Sequence, residues 1–421
     1  NRVRRQRQMC IRDRDWMDGI REEGVESLAI PHNSNISGGS AFSVNDYNGG
    51  PIDEVYANKR LRNEPLVEIT QAKGTSETHP FLSKNDEWAN FEVPTNHPGE
   101  KVPSNLSGSY VRDAYLRGLT LAKEGISNPF KFGIIGSSDT HVGGGSYTEE
   151  THFSKIGLLD GEPYLRGSVP YRGIYGFFTK LLRPEAIIEV DENNYLGVST
   201  RLIRFGSSGL AGVWAEENTR EAIYEAFKRK ETFGTSGPRI KLRFFAGYSF
   251  DDSNLVDTNL IKKAYAQNTT MGGTIQSEKS IEPKFLIWAI SDPNGAPLQR
   301  VQVIKGWLED GVHREKIFDV ACSDGLIVNP KTNRCPDNKA EVNLADCSFS
   351  SEEGDVEIKT FWQDPEFRRD QNAFYYSRAL ENPTCRWSTW DAIRENETPR
   401  SDIPLTIQER AWSSPIWFQG N

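Results

Sequence analysis

The chain has no apolar run approaching the roughly 20 residues needed to cross a bilayer, and no charged start followed by the apolar stretch of a secretory signal. Positive charge is outweighed: 50 Lys and Arg stand against 59 Asp and Glu, a net charge of -9. That balance argues against a general nucleic-acid binder, which needs a basic face to neutralise phosphates. A G-x-S-x-G elbow is missing, so a serine hydrolase of the α/β-hydrolase type is not expected. Gly143 to Gly145 form a glycine run, but no P-loop lysine follows it, which removes the NTPase reading. No internal repeat or low-complexity tract is present. Cysteine is scarce, at five residues. Cys322, Cys335, Cys347 and Cys385 all fall in the C-terminal third, too far apart for paired C-x-x-C zinc ligands and with no histidine among them. One or two disulfides are expected there, and with them an oxidising compartment: periplasmic or secreted.

What is present supports a substantial core: 421 residues, 36% of them hydrophobic and 11% aromatic, enough for two or three domains. The first fourteen residues, NRVRRQRQMCIRDR, hold six arginines and one aspartate. A basic arm is one reading of them. Their likeness to translated sequencing-adapter sequence favours another, in which residues 1–14 stand outside the fold and the natural N-terminus, with any signal peptide, is absent. From Asp15 onward, helical and strand-like segments alternate: "DWMDGIREEGVESLAIP", "EPLVEITQ", "VRDAYLRGLTLAKEGI", "KFGIIGSSDTH". Such alternation predicts an α/β domain with a parallel sheet or barrel over 15–239. "NTREAIYEAFKRK" reads as a helix capped by Asn218, with Glu221 completing a capping box. From Ile240 the texture turns to strands and turns, as in "KFLIWAISDPNGAPLQRVQVIKGW", predicting a β-rich, sandwich-like module over 240–421.

The chemistry-bearing residues gather at strand ends. In "FGIIGSSDTH", an apolar strand gives way to polar residues where a parallel sheet places its site. Asp139 and His141, two apart in an extended segment, point the same way and can meet one metal ion. Two further histidines follow strand-like segments, His32 in "LAIPHNSN" and His79 in "GTSETHP". Glu68 ends the strand "LVEIT", and Glu77 repeats the acid-x-His spacing with His79, so either carboxylate can serve as a general base or touch metal. His152 lies just past the glycine run, within reach of the same point. Lys73 and Arg239 can neutralise an anionic substrate. His97 and His313, in polar loops, read as surface residues.

The blocks "LAIPHNSN", "EPLVEITQAKGTSETHPFLSKNDEWANFE", "FGIIGSSDTH", "GLAGVWAEENTREAIYEAFKRKETFGTSGPRI" and "CRWSTWDA...QERAWSSPIW" resemble the bacterial family DUF3604. That family is similar to the polymerase and histidinol phosphatase (PHP) class of metal-dependent phosphoesterases. The resemblance implies a partial, distorted (β/α) barrel with divalent metal ions (zinc, manganese or iron) at its strand ends. By the matching blocks, His32, Asp139 and His141 would be metal ligands. Glu77 and His79 would assist the attacking water or the leaving group. Asn33, Glu68, Lys73 and His152 would contact the substrate, a small anionic molecule of the phosphate-ester class. The family's opening H-x-H and D-H blocks have no counterpart here, so an incomplete metal site is expected. Hydrolysis of an amide or sulfate ester is the rival enzymatic reading. A binding protein using Trp387 and Trp390 to recognise a glycan or partner is the non-enzymatic one.

Overall fold

The computed structural model describes residues 13–46, 48–93, 105–251, 255–278 and 281–420. Its organising element is the strand Ala373–Glu381, buried along its whole length. One edge pairs antiparallel with Leu298–Glu309, which pairs in turn with Val312–Cys322. The other edge is shared end to end by two short strands, Ile416–Gln419 and Arg410–Ser413. Beyond Arg410–Ser413 the sheet continues antiparallel through Thr232–Thr235 to Leu210–Val213, and Thr274–Gln276 adds a parallel edge against Ile416–Gln419. This eight-stranded sheet runs straight across residue 239, so the two segments divided there contribute to one sheet.

Strand alternation gives that sheet two cores. Phe374 and Tyr376 point to one face, while Ala373, Tyr375 and Ala379 point to the other. The second face is covered by a four-stranded antiparallel sheet of Glu357–Trp362, Lys284–Ile290, Lys241–Gly247 and Thr269–Thr270. Its Leu242, Phe244, Phe285 and Ile287 complete the core between the sheets. Two disulfides, Cys322–Cys335 and Cys347–Cys385, tie the long loops at this end.

The first face carries the N-terminal helices and a small sheet. Helix α1 covers 13–22, α2 is Glu54–Asn63, and α3 is Val111–Lys123. Strand β1 (Leu66–Gln71) pairs antiparallel with β2 (Gly74–Thr75) and parallel with β3 (Gly133–Gly136). Arg14 in α1 is buried and ion-paired with Glu64, so the folded chain already includes this residue. Helix α3 buries Val111, Ala114, Tyr115 and Leu119 against Val67 and Ile69 of β1, apolar positions at helical spacing. Its first free N–H groups are satisfied by the chain leading into it: Val111 N donates to Ser76 O (2.9 Å) and Arg112 N to Glu77 O (3.1 Å). The small sheet meets the large one backbone to backbone. A Cβ on Gly136 would lie 2.6 Å from the carbonyl oxygens of Leu210 and Thr235, so only glycine fits there.

Mixed helix and sheet is what the sequence pattern predicts, but a closed barrel is not formed among the described residues. Among the described residues, parallel pairing is confined to β1 with β3 and to the short edge pair above. Residues 25–31, read as a strand, lie beside β1 without a ladder; Glu68 N donates to Pro31 O, while Ala29 N turns away to Asn63 O. After β3 the chain returns in antiparallel strands that lead across to the C-terminal half instead of curling round. The helix Arg220–Arg229 forms as expected, with its cap one residue later: Thr219 accepts from Ala222 N.

Candidate functional site

Beyond their last paired residues, the chains leaving β1 and β3 stay side by side, because Ser137 N donates to Thr70 O (3.0 Å) and Ala72 N to Ser138 O (3.4 Å). Lys73 is thereby set against Asp139, and the two form an ion pair. A register shift between Glu68 and Thr70 re-aims the end of β1. Asn33 joins from the segment beside β1. Its Oδ1 accepts from Gln71 Nε2 (2.7 Å) and from Lys73 Nζ (3.0 Å), while the next loop is pinned by Asn35 Nδ2 donating to Thr75 O (3.0 Å). Asn33 (φ 56°) and Asp139 (φ 50°) both adopt left-handed backbone, a strained conformation that concentrates at functional sites.

A second lysine, which sequence reasoning missed, completes the cluster. Lys155 Nζ lies 3.2 Å from Asp139 Oδ2, donates to Asp139 O (2.6 Å), and stands 3.5 Å from His141 Nε2. His141 N donates to Lys155 O (2.8 Å), and its exposed ring sits 3.6 Å from Asp139 Oδ1. Asp160 holds the lysine's loop, accepting from Ser154 Oγ (2.6 Å), Lys155 N (2.8 Å) and Ile156 N (2.9 Å). No motif marks Lys155; only an acid five residues on, able to cap a turn, hints at a rigid mount.

Charge is unevenly shared in this cluster. Burial pushes the Asp139 carboxyl up, but Lys73 and Lys155 outweigh it and hold the group below its ordinary range. Burial pulls the Lys155 ammonium down, with Asp139 opposing and Lys73 adding to the fall. Glu68 is raised, chiefly by burial; Ser137 donates to its Oε2 and His32 pulls the other way, while Asp139 adds to the rise. Its Oε1 is buried with no hydrogen-bond partner.

Glu68, Asp139, His141 and the exposed His32 therefore share one end of the small sheet. Among the described residues, no three His, Cys, Asp or Glu side chains close around a single point as a ligand set would. The donor types present, a carboxylate and an imidazole at Asp139 and His141 and an unpartnered oxygen on Glu68, are those divalent cations take, but Asp139 is held by Lys73 and Lys155, so a cation reaching it would displace an ammonium.

The remaining candidates lie elsewhere. Glu77 is enclosed by Arg112 (2.7 Å), Arg378 (3.0 Å) and Tyr376 (2.7 Å), in a buried network that also contains Asp86. Those guanidiniums satisfy the carboxylate, leaving it neither a proton to give nor a free oxygen to act as base. His79 is a turn residue. Its Nδ1 accepts from Phe81 N (3.2 Å), its ring packs on Phe81 and Tyr110, and burial lowers its pKa. His152 stacks on Trp387 with ring centroids 4.5 Å apart, and burial with Arg166 and Arg386 pushes its pKa down to about 3. Trp387 is itself buried at the start of the helix Trp387–Arg394, which removes it from any exposed glycan platform. Arg239 gives a backbone N–H to Asp292 and has an exposed side chain. Position 97 is outside the described residues; His313 is exposed, as predicted, and bonded to Thr120.

No curated protein matches the chain. A family profile does, and it covers residues 6–420. The chain belongs to the family described as protein of unknown function (DUF3604).

Proposed function

We propose that the chain is a metal-dependent hydrolase of a small anionic ester, a phosphate ester first, working at the ends of β1 and β3. The observation that carries this reading is the convergence of Lys73, Lys155 and His141 on Asp139, beside a buried carboxyl, Glu68, with a free oxygen. Two ammonium groups attract a phosphoryl group, and Asn33 fixes the direction of Lys73. Glu68, Asp139, His141 and His32 would hold a divalent ion, which when bound supplies an activated water and charge neutralisation on the phosphoryl oxygens. Ser137 orients Glu68, and burial raises the pKa of that carboxyl, which favours its proton-carrying form relative to an exposed glutamate. Likeness to the PHP class supports the choice of bond. The two disulfides support an oxidising compartment.

The test pairs metal content with turnover. Zinc, manganese and iron would be measured by elemental analysis, and hydrolysis of para-nitrophenyl phosphate and sulfate followed in parallel. We expect bound metal lost in His141→Ala, and phosphate-ester turnover reduced at least 100-fold in Lys155→Ala. Sulfate-ester turnover alone would change the substrate class, and neither metal nor turnover would overturn the proposal.

A further inference from the structure

The helix Gly173–Leu182 is packed the wrong way round for a monomer. At 100° per residue, Ile174, Tyr175, Phe177, Phe178, Leu181 and Leu182 share one arc of about 160°, and all six are exposed, from 48% at Phe178 to 76% at Tyr175. The opposite side carries Gly176 and Thr179 and faces the protein. Gly176 is buried, and a Cβ there would meet Tyr171 O at 2.4 Å. The fold thus grips this helix by its small residues and presents its large apolar ones to solvent.

We infer that this arc is a self-association surface whose occupant is the same helix of a second copy of this chain. Area is the first argument. Taking roughly 200 Å² for each aromatic side chain and somewhat less for each aliphatic one, the six present about 700 Å². That exceeds the few hundred Å² usual for a patch on a monomer. Two such arcs face to face present about 1,400 Å² between them, an upper bound on what their pairing removes that reaches the roughly 1,200–2,000 Å² of a stable interface. Self-complementarity is the second. The arc contains no charge, so two-fold pairing desolvates none; Arg172 and Lys180 lie outside it, bonded to Glu397 and Asn194. An anionic lipid surface is the weaker occupant, because Glu185, Glu189, Asp191 and Glu192 are exposed immediately after the helix and would be repelled by it.

Sedimentation velocity on the full chain from about 0.1 to 100 μM tests this. We expect a monomer–dimer equilibrium in that range, weakened at least 100-fold in Phe177→Glu/Leu181→Glu, with an unchanged circular dichroism spectrum. Should that spectrum change, Ile174→Lys on the same arc repeats the test. A monomer throughout the range, or a dimer indifferent to the substitutions, overturns the proposal. So does a monomer that floats with phosphatidylserine vesicles, which would assign the arc to a membrane.

Discussion

Replacing Arg378 by methionine isolates the charge balance at the centre of the molecule. Arg378 donates to both oxygens of Glu77 (3.0 Å each) and both of Asp86 (2.8 and 3.1 Å), and its Nε donates to Gln302 (2.8 Å). Arg112 bridges the same two carboxylates at 2.7 and 2.8 Å. All four side chains are buried, and with the buried Arg410, which interacts with both carboxylates, and Glu315, which pairs with Arg112 at 3.4 Å, the opposite charges balance where water screens them poorly. Methionine fills most of the volume and leaves one uncompensated negative charge, a change that costs about 3–5 kcal/mol in proteins whose whole stability is about 5–15 kcal/mol. Urea unfolding followed by tryptophan fluorescence measures the loss. Glu77→Gln creates the opposite imbalance, and combining both substitutions leaves Arg112 with Asp86 as a neutral pair. The double variant is therefore expected to lose at least about 1.5 kcal/mol less than the sum of the singles. A loss below about 1 kcal/mol in Arg378→Met, or strict additivity, would refute the reasoning. Glu77→Gln also tests the role of Glu77, since abolished turnover at unchanged stability would return it to the catalytic groups.

Glu92 is buried beside Glu149, and burial first, then the neighbouring carboxylate, pushes its pKa up to about 8 against the opposing Arg386 and Arg410. Its contribution to stability is full below the ordinary value of 4.5 and is lost as pH rises to about 8; Glu92→Gln should flatten that decline, and an unchanged pH–stability curve would contradict it. Cys322–Cys335 closes 13 residues and Cys347–Cys385 closes 38, so removing each pair as serines should cost about 3 and about 4 kcal/mol. Thermal unfolding that is insensitive to reductant would count against both.

The strand-end site was legible where local pattern and chemistry coincide. "FGIIGSSDTH" announces a buried strand followed by a turn, and Lys73, Asn33, Glu68, Asp139 and His141 do come together there. Glu77 and His79 show the limit. Acid-x-His spacing in "SETHP" is the same as in "SDTH", but Glu77 meets Arg378 from 301 residues away, and no local signal reveals a partner at that distance. Cross-sheet pairing hid the architecture in the same way. Thr232–Thr235 reads as part of the glycine-containing turn after the helix, yet it is a strand paired with Leu210–Val213 and Arg410–Ser413, which moves the sheet away from a barrel.

Lys155 connects these two levels. A strand end by itself offers Asp139 one cation, Lys73, on a side chain that is partly open to solvent. The second comes from a separate loop, braced by three hydrogen bonds to Asp160, and its ammonium is delivered to both the side chain and the carbonyl of Asp139. Asp139 can hold its left-handed backbone because its carbonyl and carboxylate are both engaged. Loosening the brace should therefore act on Asp139 before it acts on overall folding. That order follows from geometry: the loop's contacts to the site pass through Lys155 and the His141 amide, whereas the core beneath is closed by β1, β3 and α3 without it.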